Sequence, residues 1–465
     1  MDTQNNTKIN TNDALQIGTS KNIHANEEDN KIADQDFQLF VSLLSSSDES
    51  DVSNAIVYFE SNPNRVDESI LNAILSILVQ TSDVDIIQSI ISFLESYTQT
   101  KTLPNEIVNQ ILHKYTEFFQ ESSLRSQILK SIIAFTESNP EVISTVISLD
   151  YITSVFNLAS QLVQSNLDKS TIESLITIVY FLATISKFTE ISENSDYWSA
   201  FSDFIKLIDQ KPIPETRAGH KSNWFKFLKV VIACLGQILE YQAPDEFFAE
   251  IINDQFLEMV ERVMKCEGDS LTVSLRLFAL LVSRSDEIAI LFVEPFIKFI
   301  STYQISDLNS KQLSFVALTF RNLACSDHSD ILQIFTNPAI DEFIEQIISN
   351  SAYFGNKEIV NALCSLINTQ NNTLIEHTLE AHPAIFNMLF NLYTSSDIGF
   401  MYSILGATYS LLSYFSSNDH GKFEEFMDEI LNADIEQALQ FAEENGDPEL
   451  GVLCEQIRNV MDADY

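Results

Sequence analysis

SLRLFALLVSRSDEIAILFVEPFIKFI (Ser274–Ile300) reads as an apolar helix, a short polar break and a second apolar helix. The same pattern returns in FVALTFRNLACSDHSDILQIFTNPAIDEFIEQII (Phe315–Ile348) and in VNALCSLINTQNNTLIEHTLEAHPAIFNMLFNL (Val360–Leu392). Apolar positions at helical spacing predict helices whose apolar faces are buried against neighbours. These three segments therefore predict a chain that is built from a repeated helical unit.

The spacing of equivalent residues gives the length of that unit. When the polar ends of the first helices are aligned, Leu280, Asn322 and Ser365 correspond, and they lie 42 and 43 residues apart. A period of about 40–47 residues is typical of an α-solenoid, in which one unit cannot bury its apolar face alone. We therefore expect an all-α, right-handed α-solenoid of about nine or ten repeats.

Composition limits the classes of partner. The 465 residues include 66 acidic and 26 basic side chains, which gives a formal net charge of −40. Nucleic acids and anionic membrane surfaces both attract Lys and Arg, so this composition argues against both partners. A negative field attracts basic proteins and accelerates their encounter. The need for solubility also explains an acidic surface, so a basic partner and solubility alone are both open explanations of the charge.

The cysteines, the N-terminus and the length of the apolar stretches indicate the cellular compartment. The chain has five cysteines, an odd number without a C-x-x-C pair: Cys234, Cys266, Cys325, Cys364 and Cys454. Three of them, Cys234, Cys325 and Cys364, are expected within apolar helical runs, which fits a reducing environment rather than a disulfide scaffold. The N-terminus lacks a signal-peptide pattern, and apolar stretches such as 178–186 are shorter than the about 20 residues that span a bilayer. We expect a cytoplasmic or nuclear protein that is not secreted.

The sequence divides into three regions. Residues 1–34 are polar and predict a disordered tail, 35–433 carry the repeat array, and 434–465 contain two acidic helices that would cap the array. Within the array, the Pro-containing segment 210–222 carries three basic residues and predicts a surface insertion. Residues 245–265 are expected to continue the array as one helical segment.

The sequence contains no nucleotide-binding, metalloprotease or hydrolase motif. His377 and His382 lie five residues apart, a spacing that does not share a helix face. The CSDHSD segment, residues 325–330, contains metal-ligand types but lies in a polar break, where a solvated turn is favoured. We predict a non-enzymatic protein without catalytic residues, cofactor or metal.

The repeat resembles the armadillo repeat in ALTFRNLACSDHSDILQIFTNPAI (Ala317–Ile340), where a long helix ends in N-L-A before a short break. Ile132–Ser160 is similar to early repeats of importin-α, the adaptor for nuclear import. DIEQALQFAEENGDPELGVLCEQI (Asp434–Ile457) is similar to that family's last repeat, and the resemblance covers about Asp36–Met461. It implies a solenoid that binds extended basic protein segments in its concave groove.

The resemblance also implies candidate groove residues. In importin-α, tryptophans stack on Lys and Arg stems while asparagine amides bind the peptide backbone. The corresponding pairs here are Val179/Ala183, Ala233/Gln237, Arg276/Leu280, Leu318/Asn322 and Asn361/Ser365. We take as candidate peptide-binding residues Gln237, Arg276, Asn322, Asn361 and Ser365.

Two departures from the family bear on the transport role. Neither Trp198 nor Trp224 falls on the aligned pairs, and residues 1–36 carry three lysines against seven acids. The basic segment that binds importin-β in the family is therefore not recognisable, which puts that partner in doubt. The alternative is a general scaffold, or a regulatory subunit that docks a signalling or cytoskeletal partner.

Overall fold

The computed structural model describes residues 34–211, 222–241, 243–265, 268–350, 353–369, 371–393, 395, 397–446 and 448–463. Within these ranges the chain forms 26 α-helices and four short 3-10 segments, without a β-strand. Residues 1–33 of the predicted disordered tail and most of the basic insertion at 210–222 lie outside the described residues, whereas Asp34 begins the first helix. Two compact units, Met1–Ile251 and Ile252–Tyr465, divide the chain.

The first unit contains thirteen helices in its described part. They are α1 Asp34–Leu43, α2 Glu49–Ser61, α3 Glu68–Gln80, α4 Val84–Thr98, α5 Asn105–Phe118, α6 Arg125–Ser138, α7 Ile143–Ser148, α8 Tyr151–Gln164, α9 Lys169–Ile185, α10 Thr189–Ser192, α11 Ser195–Asp209, α12 Asn223–Glu240 and α13 Asp245–Ile251.

The second unit also contains thirteen helices in its described part. They are α14 Asp254–Met264, α15 Asp269–Leu281, α16 Asp286–Thr302, α17 Ser310–Ala324, α18 Ser329–Leu332, α19 Pro338–Asn350, α20 Tyr353–Asn368, α21 Asn372–Ala381, α22 Ile385–Leu392, α23 Ile398–Asn418, α24 His420–Asn432, α25 Ile435–Asn445 and α26 Pro448–Ala463.

Within each unit, one helix of each repeat packs on the equivalent helix of the next repeat; we call these the stacking helices. In the first unit they are α2, α4, α6, α9 and α12, and in the second unit α15, α17, α20, α23 and α26. In the second unit, α15, α17, α20 and α23 begin 41, 43 and 45 residues apart. These three steps agree with the predicted period, and the ten stacking helices of the described chain agree with the predicted repeat number.

Local sequence explains where many helices begin. Asp67 accepts a hydrogen bond from the Ile70 backbone N–H at 2.9 Å, and Asp83 does the same for Ile86. Asn309 and Gln312 form a reciprocal capping box at the start of α17. These side chains satisfy backbone donors that have no partner inside the helix. The apolar residues that follow each cap then form the buried face of the stack.

The segment predicted as one helix over 245–265 contains two helices instead. Helix α13 ends at Ile251, and α14 begins at Asp254. The Asn253 side chain accepts hydrogen bonds from the backbone N–H groups of Gln255 and Phe256, at 2.9 and 3.0 Å. The apolar pattern continues through the break, but Asn253 caps a new helix, because its side chain satisfies the first donors.

Helix α23 is more apolar over its length than the sequence analysis expected. Its 21 residues are long and apolar enough to cross a membrane by length and composition, and half of its most apolar window is buried inside the protein. Within the described chain, the bent pair Pro140–Ser148 and Tyr151–Gln164 would count as a second candidate only if taken as one span. Because α23 packs against both α20 and α26, its burial in the stack accounts for its composition.

The described cysteines are free thiols. Cys234, Cys364 and Cys454 are buried, as expected for small apolar side chains in packed helices. Cys325 is exposed, because it follows the last residue of α17 rather than lying within the packed run. The expectation that Cys325 is a core residue is therefore wrong.

Candidate functional site

The predicted groove residues all lie on stacking helices, but in both units. Gln237 belongs to α12 of the first unit, where its Nε2 donates a hydrogen bond to the Tyr241 hydroxyl at 3.0 Å. Arg276, Asn322 and the pair Asn361 and Ser365 belong to α15, α17 and α20 of the second unit. The four residues of the second unit are therefore distributed over three successive repeats.

The polar groups of Asn322 and Ser365 contact neighbouring repeats. The Asn322 Nδ2 donates to the backbone oxygen of Ala279 on α15 at 2.8 Å, across 43 residues of sequence. The Ser365 Oγ lies 3.3 Å from the Cys325 Sγ. These contacts join successive repeats, so these side chains have a structural task whether or not they also bind a peptide.

Asn361 differs from the other candidates because it is 6% exposed and its Oδ1 has no hydrogen-bond partner within the described chain. A buried acceptor without a partner costs about 1–3 kcal/mol relative to a satisfied one. On α9, by contrast, Val179 and Ala183 are 1% and 0% exposed and have no polar group. The aligned pair on α9 therefore lies on the packed face of that helix, where it cannot contact a ligand.

In the second unit, the helices that flank the stack are more acidic than the stacking helices. Four of the five stacking helices, α15, α17, α20 and α23, carry four basic and two acidic side chains, and the fifth, α26, carries one basic and three acidic side chains. The flanking helices α14, α16, α19, α21 and α24 carry three basic and fifteen acidic side chains. The negative charge of this unit therefore lies mainly on the flanking helices.

Ion pairs hold two of the basic residues on the stacking helices. The Arg321 Nη1 lies 3.0 Å from the Glu358 Oε2, and the Glu358 side chain is 6% exposed. The Lys357 Nζ contacts the Asp397 carboxylate that caps α23. The first pair joins α17 to α20, and the second joins α20 to the residue that caps α23. Both ion pairs therefore also contribute to the packing between repeats.

The two histidines that the sequence analysis separated meet at one carboxylate. The His377 Nε2 lies 3.0 Å from one Asp341 oxygen, and the His382 Nε2 lies 3.3 Å from the other. The His382 Nδ1 also contacts the Glu345 Oε1 at 2.8 Å. His382 follows the end of α21, so helical periodicity does not apply to it. No set of three or more potential ligands in the described chain has a geometry that could hold a metal.

A cavity that the sequence analysis missed lies among α21, α22, α23 and α24. Its volume is about 560 Å³, within the range of about 300–1,000 Å³ for small-ligand sites. Its lining includes one lysine, Lys422, and five exposed carboxylates: Glu376, Glu380, Asp419, Glu425 and Glu429. The cavity is therefore strongly negative.

Aromatic rings form the apolar part of the cavity. The Phe386 ring centroid lies 5.5 Å from that of Phe426 and 6.4 Å from that of Phe415. The Tyr414 hydroxyl donates to the Glu376 Oε1 at 2.9 Å. Burial raises the pKa of Tyr414 to about 12, and the hydrogen bond and charge of Glu376 act in the same direction. Carboxylates thus surround a surface of aromatic rings.

Sequence reasoning could not assemble this cavity. From the sequence alone, an acidic pair such as Glu424-Glu425 indicates a solvated helix face, and phenylalanines at helical spacing indicate core. The lining residues extend from Glu376 to Glu429, more than one repeat of sequence. The i, i+4 spacing of Glu425 and Glu429 was the available signal, because like charges at that spacing oppose each other.

Among solved structures, the crystal structure of an engineered protein is similar to 92% of this chain and 99% of its own, with a TM-score of 0.64 and 16% identity. This chain is an all-α solenoid. A designed armadillo repeat protein matches 56% of the chain and 99% of its own, with a TM-score of 0.42 and 13% identity. Kap121p bound to Pho4p matches 93% of the chain and 46% of its own, with a TM-score of 0.42 and 10% identity.

The first of these similarities establishes the solenoid fold alone, and the other two scores are too low to support an argument. No protein-family model matches the sequence, and no curated protein matches it.

Proposed function

We propose that this chain is a non-enzymatic solenoid that binds basic segments of other proteins. The observation that carries the proposal is the charge of the flanking helices in the second unit, fifteen acidic against three basic side chains. Complementary charge steers a basic partner toward this surface and raises the rate of encounter. In the same unit α15, α17, α20 and α23 together carry only two acidic side chains, so the negative charge is concentrated on the flanking helices.

The narrower form of the proposal is a diverged nuclear-import adaptor of the importin-α kind. The resemblance along the chain and the overall acidity support it. Arg276, Arg321 and Lys357 on the stacking helices speak against a basic segment bound there in the importin-α manner. We therefore assign the basic segment to the flanking helices. A scaffold or regulatory subunit with a basic partner is compatible with the same surface.

A fluorescence anisotropy titration tests the proposal. A labelled basic peptide of the nuclear-localisation type should bind the full chain at low salt and weaken steeply as salt increases, since screening reduces exposed charge interactions. An acidic peptide of equal length serves as the control. Absence of basic-peptide binding at low salt, or preference for the acidic peptide, would overturn the proposal.

Affinity purification from the native cell, followed by mass spectrometry, tests the narrower form. Recovery of importin-β or of an exportin would support nuclear transport. Recovery of kinase, phosphatase or cytoskeletal partners without a transport receptor would support the alternative role.

A further inference from the structure

We propose that the acidic cavity among α21, α22, α23 and α24 binds an arginine side chain of the partner's basic segment. This inference rests on the proposed function and names the place where one residue of that segment is held. Its grounds are the arrangement of the carboxylates, the aromatic rings beside them and the size of the cavity.

The carboxylates that line the cavity repel one another, and a bound cation would offset that repulsion. Glu376 and Glu380 lie four residues apart on α21, and Glu425 and Glu429 lie four residues apart on α24. Like charges at this spacing destabilise a helix by about 0.2–0.5 kcal/mol per pair. Two such pairs line one cavity together with Asp419. A cation bound between the two helices would attract the carboxylates of both pairs and so offset the two repulsions.

The aromatic rings explain why an arginine fits this cavity. Phe386, half-buried, lines the cavity beside the buried rings of Phe415 and Phe426. A guanidinium is planar, stacks on aromatic faces and can hydrogen-bond carboxylates through two nitrogens at once. An ammonium is more strongly hydrated and lacks the planar fork. The combination of rings and carboxylates therefore favours arginine over lysine.

Tyr414 holds one of the carboxylates that line the cavity in place. Its hydroxyl donates to Glu376, which holds that carboxylate next to the rings. Asp419 is held in the same way, because its Oδ1 accepts from the Lys422 backbone N–H at 3.2 Å as the cap of α24. Two of the five carboxylates are thus positioned before any ligand binds, which lowers the entropy cost of binding.

Lys422 is the competing cation within this surface. Its side chain lines the same cavity as the carboxylates and is exposed. A guanidinium that enters the cavity has to share the carboxylates with this ammonium. Removal of the Lys422 charge should therefore tighten arginine binding, whereas removal of carboxylates should weaken it.

The test uses the full chain and a labelled peptide of alternating arginine and serine, with binding followed by anisotropy at low salt. The variant E425Q/E429Q removes two cavity charges, and E68Q/E106Q removes two exposed charges from α3 and α5 of the first unit, outside the flanking helices, as a matched control. We expect E425Q/E429Q to weaken binding about tenfold, which corresponds to about 1.4 kcal/mol, and the control to change it less than about twofold. Lys422→Met should tighten binding by about twofold to fivefold.

The outcomes separate this inference from the proposed function. If the wild-type chain binds the peptide and the two double variants lose equal affinity, the cavity is not the site, although the chain still binds basic segments. A lysine–serine peptide that binds as tightly as the arginine peptide would also overturn the assignment. If the wild-type chain binds neither peptide, both proposals fail. Circular dichroism melts of each variant confirm that the compared proteins are folded.

Discussion

The side-chain amide of Asn322 donates a hydrogen bond to the backbone oxygen of Ala279, 2.8 Å away on the preceding stacking helix. In importin-α the aligned asparagine would bind a peptide, whereas here its amide joins two repeats. A loss of stability on substitution would therefore report the contact between repeats, whereas a loss of peptide affinity would report peptide binding.

Substitution of Asn322 tests which role dominates. Asn322→Ala removes the bond to Ala279, so we expect a free energy of unfolding about 1 kcal/mol lower than in Asn391→Ala. Asn391 is an exposed helical asparagine on α22, so the change in helix propensity is similar in the two variants. Urea denaturation measures the difference. A loss of basic-peptide affinity without a loss of stability would instead support the importin-α role.

The ion pair of Arg321 and Glu358 should respond asymmetrically to substitution. Arg321→Leu leaves the Glu358 carboxylate, whose side chain is 6% exposed, without its cation, and should cost about 1–3 kcal/mol. Glu358→Gln keeps a hydrogen-bond acceptor for Arg321 and should cost less than about 1 kcal/mol.

A solvent-exposed pair gives the reference for that comparison. Lys169 and Glu173 are 79% and 64% exposed, so Lys169→Leu should change the stability by less than about 0.5 kcal/mol. Thermal and urea denaturation of the three variants measure the order. Equal losses for Arg321→Leu and Lys169→Leu would contradict the view that the Glu358 carboxylate needs its partner.

Asp397 should give a pH-dependent contribution to stability. The hydrogen bond from Lys357 lowers the pKa of the Asp397 carboxyl, and the Phe400 backbone N–H acts in the same direction. A lowered pKa in the folded state means that the stabilisation is present above the unfolded pKa of about 4 and is lost as the pH falls through the folded value. Stability should therefore decrease on the acid side.

Asp397→Asn isolates this effect, because asparagine is also a good helix N-cap. The stability difference between wild type and Asp397→Asn should be constant near pH 7 and shrink below about pH 4. Asp428→Asn removes the same charge from an exposed position of α24 and controls for net charge. Urea denaturation between about pH 3 and pH 7 measures the trend, and a difference that grows on acidification would contradict it.

Thiol reactivity should distinguish Cys325 from the buried cysteines. Cys325 is exposed, whereas burial raises the pKa of the Cys234 thiol to about 12 and that of Cys454 to about 11. Because the thiolate is the reactive form, the buried thiols should react slowly with a disulfide reagent. In a Cys266→Ser background we expect one fast thiol, which Cys325→Ser abolishes. Two or more fast thiols in the folded background protein would contradict the buried positions.

The helical repeat could be predicted from the sequence because its signals are local. Asp67 precedes an apolar run that places Ile70, Leu71 and Ile74 on one face, and the structure caps and buries that helix accordingly. Asn253 shows the limit of this reasoning. The apolar pattern runs through it, and only the bonds to its side chain reveal that the helix ends and another begins.

The candidate site depended on contacts between repeats, which the sequence does not specify. The alignment correctly placed Asn322 on a stacking helix, but it could not reveal that Ala279 accepts its amide proton. The contact of His382 with Asp341 was missed for the same reason, since His382 lies beyond the helix to which the spacing rule applies.

The sequence by itself determined an all-α chain with a repeat of about 42 residues and a formal charge of −40, because periodicity, capping residues and charge are properties of the linear chain. Tertiary structure decided where that charge lies. It brings Glu376 and Glu380 beside Glu425 and Glu429 around three phenylalanine rings, and it leaves only a few charges on α15, α17, α20 and α23. The reason is that these groups come from helices of successive repeats, and only packing sets which of their faces meet.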